Sequence, residues 1–372
     1  MAFHIDGPLD VDRYRQCWQQ VSQRHSILRT KFITTDLVLD HSALQVILPS
    51  VDTTWSYTAQ DHSLDDGFAE QYFVRDRQNG FAFDGSPLMR LALFKVSDTE
   101  HQLFWTFHHA LLDAWSTHIV LDEVMALYHE QPLQPAVQYH TYLAHLARQP
   151  AKATQSFWQE FLHNVQPTPD LQLPRVHATS PLPTTPKHHV HQKVLNRTLT
   201  EVHAFCRNMG ITTNNLLRGL WALALGRYLG DAKEVTFGVM VSGRNVPVDG
   251  IDDMVGVCIN TVPFRVKLDS QQPLQGWLWD IHCQSGDIMA YEHASLVDIQ
   301  KWANIAADTS LFQSLLIYDK YRNDLTTTTE KRIQCHHVGG VNFTEYPMVV
   351  SFEDANDQLR MALTYEAKLY DI

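Results

Sequence analysis

The chain has 372 residues, 44% of them apolar and 19% charged, with a formal net charge of −12 at neutral pH. That length points to about two domains or lobes, and fractions so ordinary for a globular protein exclude a disordered or fibrous chain. The 29 Lys and Arg residues stand against 41 Asp and Glu and never gather into a block, so neither nucleic acid nor an anionic membrane is expected as a partner.

The amino end, MAFHIDGPLD, lacks the basic stretch, apolar run and small-residue cleavage site of a secretory signal, and a cytoplasmic location is expected. From Asp10 the spacing of Tyr14, Trp18 and Val21 predicts a helix, followed by a strand over Ile27–Ile33. Arg24, His25 and Arg29 are expected to fasten that helix to the sheet rather than touch a substrate. Pro87–Val96 and His101–His109 predict an antiparallel hairpin across the turn-like SDTE. A helix then follows Asp113, with Trp115, Ile119, Val120, Val124, Leu127 and Tyr128 on one face.

Six prolines between His163 and Lys193 favour extended backbone and place an interlobe linker there. The expected division is an N-terminal lobe over 1–165, a linker over 166–193 and a C-terminal lobe over 194–372. A helix is predicted over Leu199–Met209. The apolar stretch Asn214–Gly230 is interrupted by Arg218 and Arg227 and is too short for a membrane span, so it reads as a buried helix. Strands are predicted in Glu234–Arg244, VGVCINTVPFRVKL, Leu311–Tyr321, PMVVSFE and LRMALTYE, and Thr326–Glu330 as an exposed loop. Five scattered cysteines without a C-x-x-C pair argue for reduced, mostly buried thiols. The histidine clusters Lys187–His191 and Cys335–Val338 lack complementary ligands at recognised spacings, and no metal is expected.

The stretch TFHHALLDAWS, Thr106 to Ser116, ends a predicted strand with two histidines and sets Asp113 four residues after His109. An imidazole accepts or directs a proton near neutral pH because its ordinary pKa is about 6.5. A histidine at a strand end can point into a cleft. Asp113 can orient that imidazole, or it can cap the helix starting at Ala114 and pair with a distant arginine.

Five segments in order, RHSILRTKF, FHHALLDAWS, VSGR, VGVCINTVPFRV and NFTEYPMVVSFE, resemble the condensation domain of nonribosomal peptide synthetases, over nearly the whole chain. The resemblance implies an α/β fold of two chloramphenicol-acetyltransferase-like lobes forming a V around a central tunnel. It implies an acyltransferase joining a carrier-bound acyl or peptidyl thioester to an amine or hydroxyl acceptor, with no cofactor beyond the phosphopantetheine arm of a peptidyl or acyl carrier protein. The acceptor would be carrier-bound or a free small molecule, and a monomer is expected. His109 would position or deprotonate the acceptor, with His108 packed behind it. Asp113 would form an ion pair with Arg244 that keeps the turn in shape. Ser116, Asn260, Ser314, Asp319 and Lys320 would line the substrate path, although Ser116 reads equally as a helix-turn cap and Asn260 as a turn-capping amide. Asp319 and Lys320 replace an amide pair frequent in the family, which predicts an altered acceptor. Both ends look short against the family pattern, which implies either an excised or truncated piece or a small stand-alone relative with a more open tunnel. The same site could cyclise and release a peptidyl thioester, or the fold could serve as a non-catalytic recruitment module.

Overall fold

The computed structural model describes the chain except residues 34–43, 60–66, 84–86, 168–187, 307, 320–332, 340–345, 356, 367–368 and 370–372. In chain order the elements are β1 (Ala2–Asp6), α1 (Val11–Arg24), β2 (Thr30–Ile33), β3 (Leu44–Ile47), β4 (Thr54–Ala59), α2 (Phe68–Asn79), β5 (Met89–Lys95), β6 (Glu100–Phe107), α3 (Ala114–Tyr128) and α4 (Tyr139–Leu146). There follow α5 (Ala151–Phe161), β7 (His188–Thr198), α6 (Leu199–Met209), α7 (Thr213–Tyr228), β8 (Glu234–Val241), β9 (Asn260–Lys267), α8 (Leu274–Met289), α9 (Leu296–Trp302), β10 (Ser314–Asp319), β11 (Gln334–Gly339), β12 (Met348–Ala355) and β13 (Gln358–Glu366). They form two compact units of interleaved segments. Met1–Arg148, Val246–Cys258 and Arg322–Asn342 make the first, and Gln149–Asn245, Ile259–Tyr321 and Phe343–Ile372 the second.

The first unit is built on a five-stranded sheet in the order β11-β1-β6-β5-β4. Its β5–β6 hairpin is antiparallel, as the sequence predicts, and only β4 and β5 run parallel. Period-two alternation sends Phe3 and Ile5 of β1, and Leu103 and Trp105 of β6, to one face. There they meet Tyr14, Trp18 and Val21 of α1 and Val120, Leu121 and Val124 of α3, all buried. The predicted helix face of α1 is thus the core face. Arg24 pairs with Glu123 of α3 through Nε at 3.0 Å, and His25 Nε2 meets the same carboxylate at 2.7 Å. Arg24 and His25 therefore fasten helix to helix, whereas Arg29 donates from Nε to Gln23 O of α1 at 3.1 Å and from Nη1 to Leu48 O just after β3, tying the helix to the strand pair as expected. The strand predicted over Ile27–Ile33 begins only at Thr30, because Ser26–Arg29 form a 3-10 turn. That turn drops both Ile27 and Leu28 into the core, which a period-two strand could not do with adjacent residues.

The second unit carries a six-stranded mixed sheet, β7-β13-β12-β10-β8-β9. β10 runs parallel to β8 and β12, and the other neighbours are antiparallel. α6 covers the predicted Leu199–Met209, begun by a capping box in which the Thr198 side chain and Glu201 satisfy each other's backbone amides. α7 is not the fully buried helix expected. Leu217, Ala222 and Leu225 are buried while Leu220 and Leu223 are half exposed. Arg218 itself goes inside, donating to Ser285 Oγ at 2.6 Å and lying 4.8 Å over the Phe264 ring. An all-round apolar helix needs neighbours on every side, and a helix lying on a sheet has solvent on one. His188–Lys193, which the proline pattern assigns to the linker, opens β7 because β13 offers a partner edge there; residues 168–187 and Thr326–Glu330 lie outside the described residues. Cys17, Cys206, Cys258 and Cys335 are buried free thiols and Cys283 is exposed. Among the described residues no helix is long and apolar enough to cross a membrane.

Candidate active site

The HHALLD stretch lies wholly in the first unit, and each of its residues has a local cause. The ladder between β5 and β6 runs one step past the strand, where His108 N donates to Leu88 O at 2.8 Å. A turn closes next, with Leu111 N donating to His108 O at 3.0 Å. Leu111 and Leu112 are both fully buried, so the turn is anchored by two apolar side chains before α3 begins. His108 Nδ1 accepts from Ala110 N at 3.1 Å, which leaves the ring proton on Nε2 in the neutral form. Its ring packs edge-on to Phe83 at 4.7 Å and to Phe81 at 6.4 Å. Burial first, and the neighbouring His109 second, push the His108 pKa below its ordinary value. His109 is exposed. The pair therefore divides into a neutral, packed ring and an accessible one.

Asp113 is 1% exposed, and both its carboxylate oxygens hold backbone amides. Oδ1 accepts from Ser116 N at 2.8 Å as the N-cap of α3, and Oδ2 accepts from Cys258 N at 3.0 Å. Ser116, fully buried, donates from Oγ to Gly256 O at 2.8 Å and accepts from Gly256 N at 3.0 Å. Trp115 Nε1 donates to Asp252 O at 2.8 Å, and the Tyr139 hydroxyl to Val257 O at 2.6 Å. A side chain on Gly256 would run into the Tyr139 ring, so glycine lets the two backbones approach. The VGVC stretch that the sequence singled out is thus clasped to the start of α3.

In the second unit three of the remaining candidates lie toward one end of the sheet. Val241 of β8 pairs with Asn260 of β9, and β10 runs parallel to β8, so Arg244, Asn260 and the backbone of Asp319 lie toward the same sheet end. Arg244 is buried, its amide donating to Ser242 Oγ at 3.3 Å. Asn260 Nδ2 donates to Glu292 O and Ala294 O, both at 2.7 Å, while its Oδ1 accepts from Thr261 N at 2.9 Å. Its amide binds backbone, matching the turn-capping alternative. Ser314 sits at the opposite end of β10, buried, and accepts from Trp221 Nε1 at 3.3 Å. The Asp319 side chain and Lys320 lie outside the described residues.

Glu292 carries no signal in the sequence, yet it is 7% exposed and its pKa is pushed up to about 7. Burial is the main cause, and hydrogen bonds from Asn245 and the Gly243 backbone together with the Arg218 charge pull the other way. Only folding, which sets it beside the β8–β9 turn, gives this carboxyl a titration near neutral pH.

The family model Condensation domain matches residues 1–372. Chondramide synthase cmdD of Chondromyces crocatus is 34% identical over 363 residues, covering 94% of this chain, while the chain spans 9% of that protein's length. The condensation domain from the monacolin K polyketide synthase MokA shares the fold with a TM-score of 0.80 at 17% identity, covering 100% of this chain and 87% of that one. The X-domain from teicoplanin biosynthesis does so with a TM-score of 0.78 at 18% identity, covering 100% and 85%.

Two outcomes are expected from this geometry. Ser116→Ala leaves the Gly256 amide and carbonyl without their buried partner and lowers unfolding stability by about 1–3 kcal/mol, whereas His109→Ala, at an exposed ring, stays within about 0.5 kcal/mol of the parent; urea unfolding followed by tryptophan fluorescence compares them. For Glu292 the folded pKa, about 7 against an ordinary 4.5, means that the folded state holds the extra proton between those values. Stability therefore falls as pH rises from about 4.5 to about 7 and levels off above. Glu292→Gln should be the more stable protein at about pH 8, by roughly 1–3 kcal/mol, and should show less of this decline when the urea midpoint is measured against pH.

Proposed function

This chain belongs to the condensation-domain family, and from that premise we propose that it is an acyltransferase that joins a carrier-bound acyl or peptidyl thioester to an amine acceptor in nonribosomal peptide or related secondary-metabolite biosynthesis. The observation that carries the reading is the accessible His109 on a turn that two buried leucines and a doubly hydrogen-bonded carboxylate hold in place. In the proposed reaction the acceptor nitrogen attacks the thioester carbon, a carbon–nitrogen bond forms, the carbon–sulfur bond breaks and the phosphopantetheine thiol leaves. His109 orients the attacking amine and takes up the proton it loses, which then passes to the departing thiolate, so the site ends as it began. An exposed imidazole can both accept and release a proton, which suits that task.

Asp113 has a positioning role in this scheme. Both of its oxygens already accept amide protons within the first unit, so it holds the turn and leaves proton transfer to the histidine. Arg244 as the counter-charge of Asp113, and Ser314, Asp319 and Lys320 as parts of the substrate path, enter on the strength of the resemblance. Two of the other candidates are supported as scaffold: Ser116 by its paired bonds to Gly256, and Asn260 by its three backbone bonds. No cofactor beyond the carrier's phosphopantetheine is invoked, and the partner is a peptidyl or acyl carrier protein.

Incubating the purified chain with an acyl-loaded carrier protein and an amine acceptor, and weighing the product by mass spectrometry, tests the proposal. His109→Ala is expected to lower the rate of amide formation by about 10²–10⁴-fold with unfolding stability unchanged. Equal product from parent and variant would refute catalysis and favour a recruitment module, and a product lighter by the acceptor's mass would mark cyclisation instead.

A further inference from the structure

Among the described residues, the second face of the first unit's sheet is only partly covered. Ala2, Ala92 and Phe104 lie beneath Phe68, Tyr72 and Phe73 of α2. Alternation along β1 carries that face on to His4 and Asp6, beyond the helix, where the residues are reached by solvent. The register sets His4 opposite His336 of β11 and Asp6 opposite Glu100 of β6. His4 Nε2 lies 3.0 Å from Asp6 Oδ1, and His336 Nε2 lies 3.6 Å from Asp6 Oδ2. Ligand atoms of His4, Asp6 and Glu100 all fall within 4.8 Å of one another.

Two carboxylates placed directly across neighbouring strands repel, and here they sit between two imidazoles. A divalent cation would relieve that repulsion and engage the imidazoles as well. Two nitrogens and two oxygens are a donor set of borderline hardness, suited to zinc more than to magnesium or calcium, which want oxygen alone. Zinc bonds of about 2.0–2.2 Å in a tetrahedron ask for ligand atoms separated by roughly 3.3–3.6 Å; the two imidazoles lie 3.0 and 3.6 Å from Asp6, and Glu100 falls within 4.8 Å of His4 and Asp6. His336 of the Cys335–Val338 cluster lacks further ligands when read along the chain; β1 and β6 supply them across the sheet.

We propose that His4, Asp6, Glu100 and His336 form a binding site for a zinc-type divalent cation that staples β11 to β1 and β6. The ligands come from three widely separated stretches of sequence, β1, β6 and β11, so the cation would close long loops and hold the edge strand of the sheet, stabilising the first unit without touching the HHALLD turn.

The full chain, freed of metal with a chelator, is titrated with zinc chloride by calorimetry, and its thermal midpoint is recorded with and without zinc. The expected result is one equivalent bound and a raised midpoint, with affinity at least about tenfold weaker in His4→Asn/His336→Asn and in Glu100→Gln, and unchanged in the control His140→Asn on α4. Glu100→Gln in the absence of metal should be as stable as the parent or more so, because it removes a repulsion; this separates loss of a ligand from loss of the fold. No binding by the parent, or equal affinity in the parent and the double variant, would overturn the proposal.

Discussion

Everything at the candidate site depends on one buried carboxylate. Asp113 accepts from two amides that are 142 residues apart, Ser116 at the start of α3 and Cys258 in the stretch between β8 and β9. Burying an anion is unfavourable unless it is well hydrogen-bonded, and here the bonds that satisfy it also fix backbone. One pins the first turn of α3. The other draws the Val246–Cys258 segment into the first unit, although β8 and β9 on either side of it belong to the sheet of the second. The fold places that carboxylate four residues from His109, so the histidine's backbone is set by packing and hydrogen bonds made elsewhere.

Seen this way, the residues of the motif divide by what they touch. Leu111 and Leu112 bury hydrocarbon, Asp113 and Ser116 hold backbone, and His108 lies against Phe83 with its Nδ1 already engaged. His109 alone among these has an exposed side chain. A motif that looks like a row of reactive groups is mostly scaffold, with one group presented. The same economy holds in the second unit, where Asn260 supports backbone near Glu292, a carboxyl whose burial shifts its titration toward neutrality.

The local elements were legible where periodicity is strong and caps are explicit. α1 follows from Tyr14, Trp18 and Val21, and α3 from an aspartate before an apolar face. The β5–β6 hairpin could be read from its alternation. β1 was missed: five residues are too few for period two to stand out, and AFHID shows its alternation only once Phe3 and Ile5 have a core to face. The turn at Ser26–Arg29 was mistaken for strand because two adjacent apolar residues look alike in either state. Among the candidate site residues, His108, His109 and Asp113 stand out in the sequence by order and resemblance. The Cys258 amide and Glu292 could not, since a backbone bond across 145 residues and a burial-driven pKa exist only after folding.

The most direct test of this account is hydrogen exchange at the Cys258 amide. If Asp113 clasps this segment as described, that amide exchanges with the slowest class of the first unit, alongside the core amides of β6, because opening it requires exposing a buried carboxylate. Exchange at the rate of a surface loop would contradict the clasp, and with it the claim that the histidine-bearing turn is held in place by Asp113.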